Sequence, residues 1–162
     1  MASINGIRIV NLKEFRGHDE ERLFQGDIYY RYKKLGFWSQ DFRGGNDVFG
    51  FNKKILSREV EAYRNNGDLF GEIYRKYIDL EILLDNLVTL MDDEEKWRKS
   101  RGMNYVRITD DSRNYYYTTC VSANEIIDSD KHRAIVREFE KTAVAPVRTY
   151  IFAKLEDFDK EY

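Results

Sequence analysis

Six apolar residues, Ile73, Tyr77, Leu80, Leu84, Leu87 and Met91, recur at steps of 4, 3, 4, 3 and 4. Only an α-helix brings such a spacing onto one face, because its side chains repeat every 3.6 residues. Ile78, Leu83, Val88 and Leu90 widen the stripe beyond the narrow seam of a coiled coil. A stripe that is broad and shorter than three heptads is expected to pack on a sheet rather than to zip two chains together. The end charges agree. Asp68 and Glu72 stand near the predicted start, while Lys96, Arg98, Lys99 and Arg101 stand near the end, just before Gly102. That order complements the helix dipole.

A helix with one broad apolar face needs an apolar surface to cover, and the flanking segments supply it. Ile7–Val10 is short and β-branched. Gly26–Tyr30 and Leu35–Ser39 are aromatic runs joined by a polar turn, which predicts a hairpin. After Gly44-Gly45, Lys53–Asn65 carries Leu56, Val60 and Tyr63 at helical spacing. Beyond the long helix, Tyr105–Thr109 and Tyr115–Val121 flank Asp110–Asn114, a run of turn formers, and predict a second hairpin. Lys131–Lys141 reads as a helix and Val147–Ala153 as a strand beyond Pro146. The expectation is an α+β fold in the order β-β-β-α-α-β-β-α-β, an antiparallel sheet with helices packed on one face. No repeat, low-complexity tract or linker divides residues 1–162, so a single domain is expected.

Composition narrows function mainly by exclusion. With 10 Gly, one Pro and one Cys in 162 residues, collagen-like and disulfide-scaffold chains are ruled out. The lone Cys120 has no internal partner and, within a Tyr- and Thr-rich strand, is expected to be a small core residue. No basic-then-apolar leader and no stretch of ~20 apolar residues is present, so a cytoplasmic protein without a membrane span is expected.

No catalytic constellation is legible. His18 lies in the polar loop Gly17–Glu21 and His132 in a charged helix, and both are expected at the surface. Neither adjoins a nucleophile motif such as G-x-S-x-G. The acidic run Asp92–Glu95 fans around its helix axis, and Asp110-Asp111 and Asp128-x-Asp130 lack the Gly and terminal Glu of a calcium loop. No zinc spacing or phosphate-binding glycine motif occurs, although the amides and Arg43 of Phe42–Asn46 could meet an anion. No cofactor is expected.

Binding is therefore the expected activity. The near-zero net charge conceals three segments: residues 31–64 hold eight basic and four acidic residues, 65–95 two and nine, and 96–113 six and two. Such opposed segments can steer association. Of the twelve tyrosines, several cluster in the two hairpins, at Tyr29–Tyr32 and Tyr115–Tyr117, where consecutive side chains point to opposite faces, so some must meet solvent or a partner. The candidate surface comprises Tyr30, Tyr32, Lys33, Lys34, Trp38, Arg43, Asp92, Asp93 and Tyr116. A protein partner is favoured, with a monomer or weak homodimer as the resting state. The acidic residues from Asp79 to Glu95 are expected to form an ordinary solvated helix face, the rival reading being that they mimic phosphates toward a basic target. The alternative is a single-stranded nucleic acid stacking on the hairpin around Tyr30 and Trp38. Its pI of about 5.8 is low for such a module.

Phe15-Arg16-Gly17-His18, Gln25–Tyr29, Lys33–Phe37, Ser39-Gln40-Asp41 and Gly44-Gly45 resemble the opening of small proteins carried by phages and mobile elements of Gram-positive bacteria. The similarity covers about the first 45 residues. It implies a cytosolic accessory protein acting on a host macromolecule, for example as an inhibitor of a defence nuclease in the manner of an anti-CRISPR.

Overall fold

Two sheets share the long helix between them. A computed structural model describes residues 1–40, the backbone of 46–49, and residues 52–66, 78–110 and 112–162. Strands β1 (Ser3–Ile4), β2 (Ile7–Arg16), β3 (Arg22–Tyr30), β4 (Lys33–Gln40) and β5 (Asn46–Phe49) precede helices α1 (Lys53–Asn66) and α2 (Leu80–Lys99). Then follow β6 (Asn104–Thr109), β7 (Asn114–Thr119), α3 (Asp130–Glu140), β8 (Arg148–Phe152) and β9 (Asp159–Lys160). The fold is α+β, and its longer elements keep the expected order, with β1, β5 and β9 added as short strands.

The expected sheet is two sheets. Six strands run in the order β5-β4-β3-β2-β1-β9, and three in the order β7-β6-β8. All pairings are antiparallel except β1 with β9. The β1–β2 link is the two-residue turn Asn5-Gly6, whose φ values of 49° and 71° are those of a tight hairpin. Asn5 also fastens the chain's distant parts. Its amide donates to the Lys160 carbonyl at 2.7 Å, and its side chain donates to the Glu59 carbonyl and accepts from the Tyr162 amide.

The helical stripe does what its width requires. Ile78, Leu83, Leu84, Leu87, Val88 and Leu90 are buried in one cluster with Ile7, Ile9, Ile28 and Trp38 of the large sheet and Tyr105 and Phe152 of the small one. Asp79 caps α2 by accepting from the Ile82 amide at 3.0 Å, and Lys96, Arg98 and Lys99 fill its last turn. Residues 67–77, which include Asp68, Glu72, Ile73 and Tyr77 of the predicted helix, lie outside the described residues, as do Arg43, the Gly44-Gly45 loop and Asp111. Among the described residues no helix is long and apolar enough to cross a membrane.

The small sheet departs from the one-sided arrangement. Tyr105, Arg107, Tyr150 and Phe152 lie on the face turned to α2, whereas Val106 and Ile108 pack with Ile135, Val136 and Phe139 of α3 on the other. Helices thus cover both faces, and what remains open is an edge.

Candidate binding surface

The expected surface residues scatter. Trp38 is wholly buried, a correction whose cause is tertiary: it lies in the core that α2 forms over the large sheet, with Leu83, Leu84 and Leu87. Tyr30 packs against the same core, its hydroxyl accepts from Arg58 at 2.9 Å, and its ring has the Arg31 and Arg58 guanidinium groups at 5.4 and 5.9 Å. Tyr32, at the β3–β4 tip, is 93% exposed beside Arg8. Lys33 is exposed, and Lys34 pairs with Asp27 at 2.6 Å, which holds that carboxyl below its usual range.

The acidic face of α2 is committed within the chain. Asp92 pairs with Arg22 at 3.3 Å, Glu95 with Lys99 at 2.5 Å, and Glu94 with Arg98 and the Met1 amino group. Asp85 accepts from Gln40 at 3.0 Å. Asp93 is no surface residue. It is 1% exposed, 3.0 Å from Arg107, and accepts from the Tyr105 hydroxyl at 3.2 Å. The signal was in the spacing: the steps of 3 and 4 that bury Leu83, Leu87 and Leu90 continue onto Asp93 and Glu94, both buried.

Two other expectations reverse. His132 is buried, its Nδ1 sharing a hydrogen bond with the Tyr117 hydroxyl at 2.9 Å and its Nε2 facing Thr149 Oγ1 at 3.3 Å. Burial holds its pKa below the ordinary value. Cys120 is exposed, because it follows the last paired residue of β7 rather than lying within the strand. His18 is exposed in the β2–β3 loop, as expected.

What the fold assembles instead is a tyrosine edge. β7 carries Tyr115, Tyr116 and Tyr117 at the open side of the small sheet, where Tyr115 and Tyr116 remain 45% and 38% exposed. Alternation sends Tyr116 toward α2 and its neighbours toward α3. Tyr116 stacks on Tyr105, with centroids 5.8 Å apart and planes at 17°, and Lys96 Nζ sits 3.9 Å from its ring centre. Lys131 Nζ lies 4.9 Å from the Tyr117 ring. Each helix thus contributes a lysine to one tyrosine of the edge, a cation–π arrangement.

The edge is flanked by two grooves. One is lined by Lys96, Lys99, Ser100, Met103 and Tyr116, the other by Arg113, Tyr115, Ile135 and Phe139. The Asp93–Arg107 pair and the Asp93–Tyr105 hydrogen bond join the sheet to α2, and Arg107 also lies over the Tyr150 ring within the sheet at 4.5 Å. At the turn that begins β7, the buried Asp110 accepts from the amides of Ser112, Arg113 and Val144. These bonds hold its carboxyl well below the usual range despite burial. Among the described residues, no group of three or more His, Cys, Asp or Glu side chains is placed to hold a metal ion. Comparison with family models, curated proteins and solved structures gave no match, so the surface stands on its own geometry.

Proposed function

We propose that this chain is a non-enzymatic binding protein whose contact surface is the tyrosine edge of the small sheet, and that its partner is a protein. One observation carries the reading: β7 offers consecutive, partly exposed tyrosines steadied by lysines from two helices. Tyrosine presents a large, rigid contact area at small entropic cost, and it is enriched in interfaces for that reason.

A protein partner is favoured over a single-stranded nucleic acid. Base stacking needs an open ring face. Tyr116 is stacked on Tyr105 and has Lys96 over its ring, Tyr30 has two guanidinium groups against it, and Trp38 is in the core. The commitment of Asp92 to Glu95 to internal pairs likewise argues against phosphate mimicry by α2. The resemblance of the first 45 residues to phage and mobile-element proteins supports a host protein, such as a defence nuclease, as the target.

The test is capture from a bacterial lysate, with and without added nuclease, by the wild-type chain, by a Tyr115→Ser/Tyr116→Ser variant and by Tyr32→Ser. The expected result is a retained protein, insensitive to nuclease, lost with the double variant and kept with Tyr32→Ser. Retention that depends on nucleic acid, or that ignores the double variant, overturns the reading.

A further inference from the structure

The β7 edge has the layout of a site for strand addition, and we infer that its ligand is an extended peptide in which acidic and apolar residues alternate. This rests on the reading of the edge as the contact surface and names the partner's chemistry.

The backbone comes first. The β6–β7 ladder pairs six residues without a bulge, from Asn104 with Thr119 to Thr109 with Asn114. The Asp110 amide donates to the Arg113 carbonyl at 3.4 Å while the Arg113 amide turns to Asp110 Oδ1, which places this pair at the turn in the bonded register. Antiparallel pairs alternate between bonded and non-bonded, so Tyr115, Tyr117 and Thr119 bond to β6. The N–H and C=O groups of Asn114, Tyr116 and Thr118 therefore point to the side on which no described strand follows. Proteins usually blunt such an edge with a charge, a proline or a bulge, and the sequence Asn-Tyr-Tyr-Tyr-Thr-Thr contains none of these.

The side chains then specify the occupant. A strand added beside β7 lies about 4.8 Å away and points alternate residues to opposite faces. On one face those residues enter the groove of Lys96 and Lys99, and on the other the groove of Tyr115, Ile135 and Phe139. Among the described residues no carboxylate stands within ion-pair distance of Lys96, which contacts a ring instead. Acidic residues suit the first groove and aliphatic or aromatic residues the second. A second copy of β7 would bring no carboxylate to Lys96, which favours a foreign peptide.

Fluorescence anisotropy with labelled, end-capped peptides of about ten residues tests this. The probes are alternating Glu-Val, a Glu-Glu-Val-Val arrangement of the same composition, and alternating Lys-Val. Alternating Glu-Val is expected to bind at least about ten-fold more tightly than the other two, and to lose about ten-fold in the Lys96→Glu variant. Thr118→Pro, which removes an outward N–H without touching the ladder to β6, is expected to abolish binding. Where that variant does not fold, peptides N-methylated on all Glu or on all Val amides take its place, and only one of the two should fail to bind. Equal affinity for the alternating and blocked peptides, or equal effects of the two methylation patterns, overturns strand addition. A wild-type dimer that Thr118→Pro makes monomeric overturns the foreign peptide in favour of a second copy. If the Glu-Val peptide fails while lysate capture still requires Tyr115 and Tyr116, strand addition falls and the contact surface stands. If capture also ignores those tyrosines, both fall.

Discussion

Asp93 of α2 and Arg107 of β6 face each other at 3.0 Å, 1% and 7% exposed, and form a charge pair inside the joint between the long helix and the small sheet. Asp93 Oδ2 and Arg107 Nε have no aligned hydrogen bond, so charge attraction, with the Tyr105 bond to Asp93 Oδ1, offsets part of the cost of their burial. Removing one partner strands the other. Arg107→Met or Asp93→Ala is expected to cost about 3–5 kcal/mol, while the double variant recovers much of it. Urea unfolding of the four proteins measures the coupling, and additive losses would show that the pair does not act as a unit.

The same pair sets a pH dependence. Burial pushes Asp93 up to about 6, against the pull of Arg107 and Lys96. Between about pH 4 and about pH 6 the folded chain keeps a proton on Asp93 that the unfolded chain has released. This group's contribution therefore falls as pH rises through that window and is flat above it. Burial likewise pushes Asp85 up to about 6, so stability measured across the range should fall less steeply in Asp93→Asn than in the wild type rather than lose the slope entirely.

His132 acts in the opposite sense. Its folded pKa is lowered by burial, so below the ordinary value of 6.5 the unfolded state binds the proton first. Its contribution is full above that pH and declines on acidification. Melting temperatures of wild type and His132→Gln at about pH 7.5 and about pH 5.5 isolate the effect, the variant being the less sensitive to acid.

Leu84 is fully buried under the large sheet. Leu84→Ala should lower unfolding free energy by about 2–5 kcal/mol, from lost transfer energy and the cavity left behind. Its elution volume on sizing should not change. A variant that kept its melting temperature and lost a dimer would mean that the stripe is a seam between chains.

Gly26 is held to its identity by space. A Cβ there would meet Ile9 Cγ2 at 2.5 Å and the Val10 carbonyl oxygen at 3.3 Å, beside the irregularity in the β2–β3 register. Ile9 is buried and β-branched, so it has little freedom to yield. Gly26→Ala is expected to cost about 1–3 kcal/mol, read by chemical denaturation.

Local pattern was enough for the elements. The spacing from Leu80 to Leu90, the two aromatic hairpins and the α3 stripe are each fixed by neighbours within a few residues, and each formed where expected. The β1–β2 hairpin was not among the expected elements, although Asn5-Gly6 is the dipeptide that such a turn favours. The surface was less legible. Tyr116, expected on an uncovered sheet face, is partly exposed at an edge instead, and Trp38 and Asp93 are buried, because exposure depends on what crosses above a side chain rather than on its own polarity.

The sequence by itself therefore determined the α+β class, the order of the main elements and the role of the α2 stripe, since helical and strand periodicity are properties of adjacent residues. Only the tertiary structure decided that two sheets share one helix, that α2 and α3 cover opposite faces of β6, and that the tyrosines of β7 border two different grooves. Those are contacts between residues far apart in the chain. Their geometry depends on packing that local patterns do not encode.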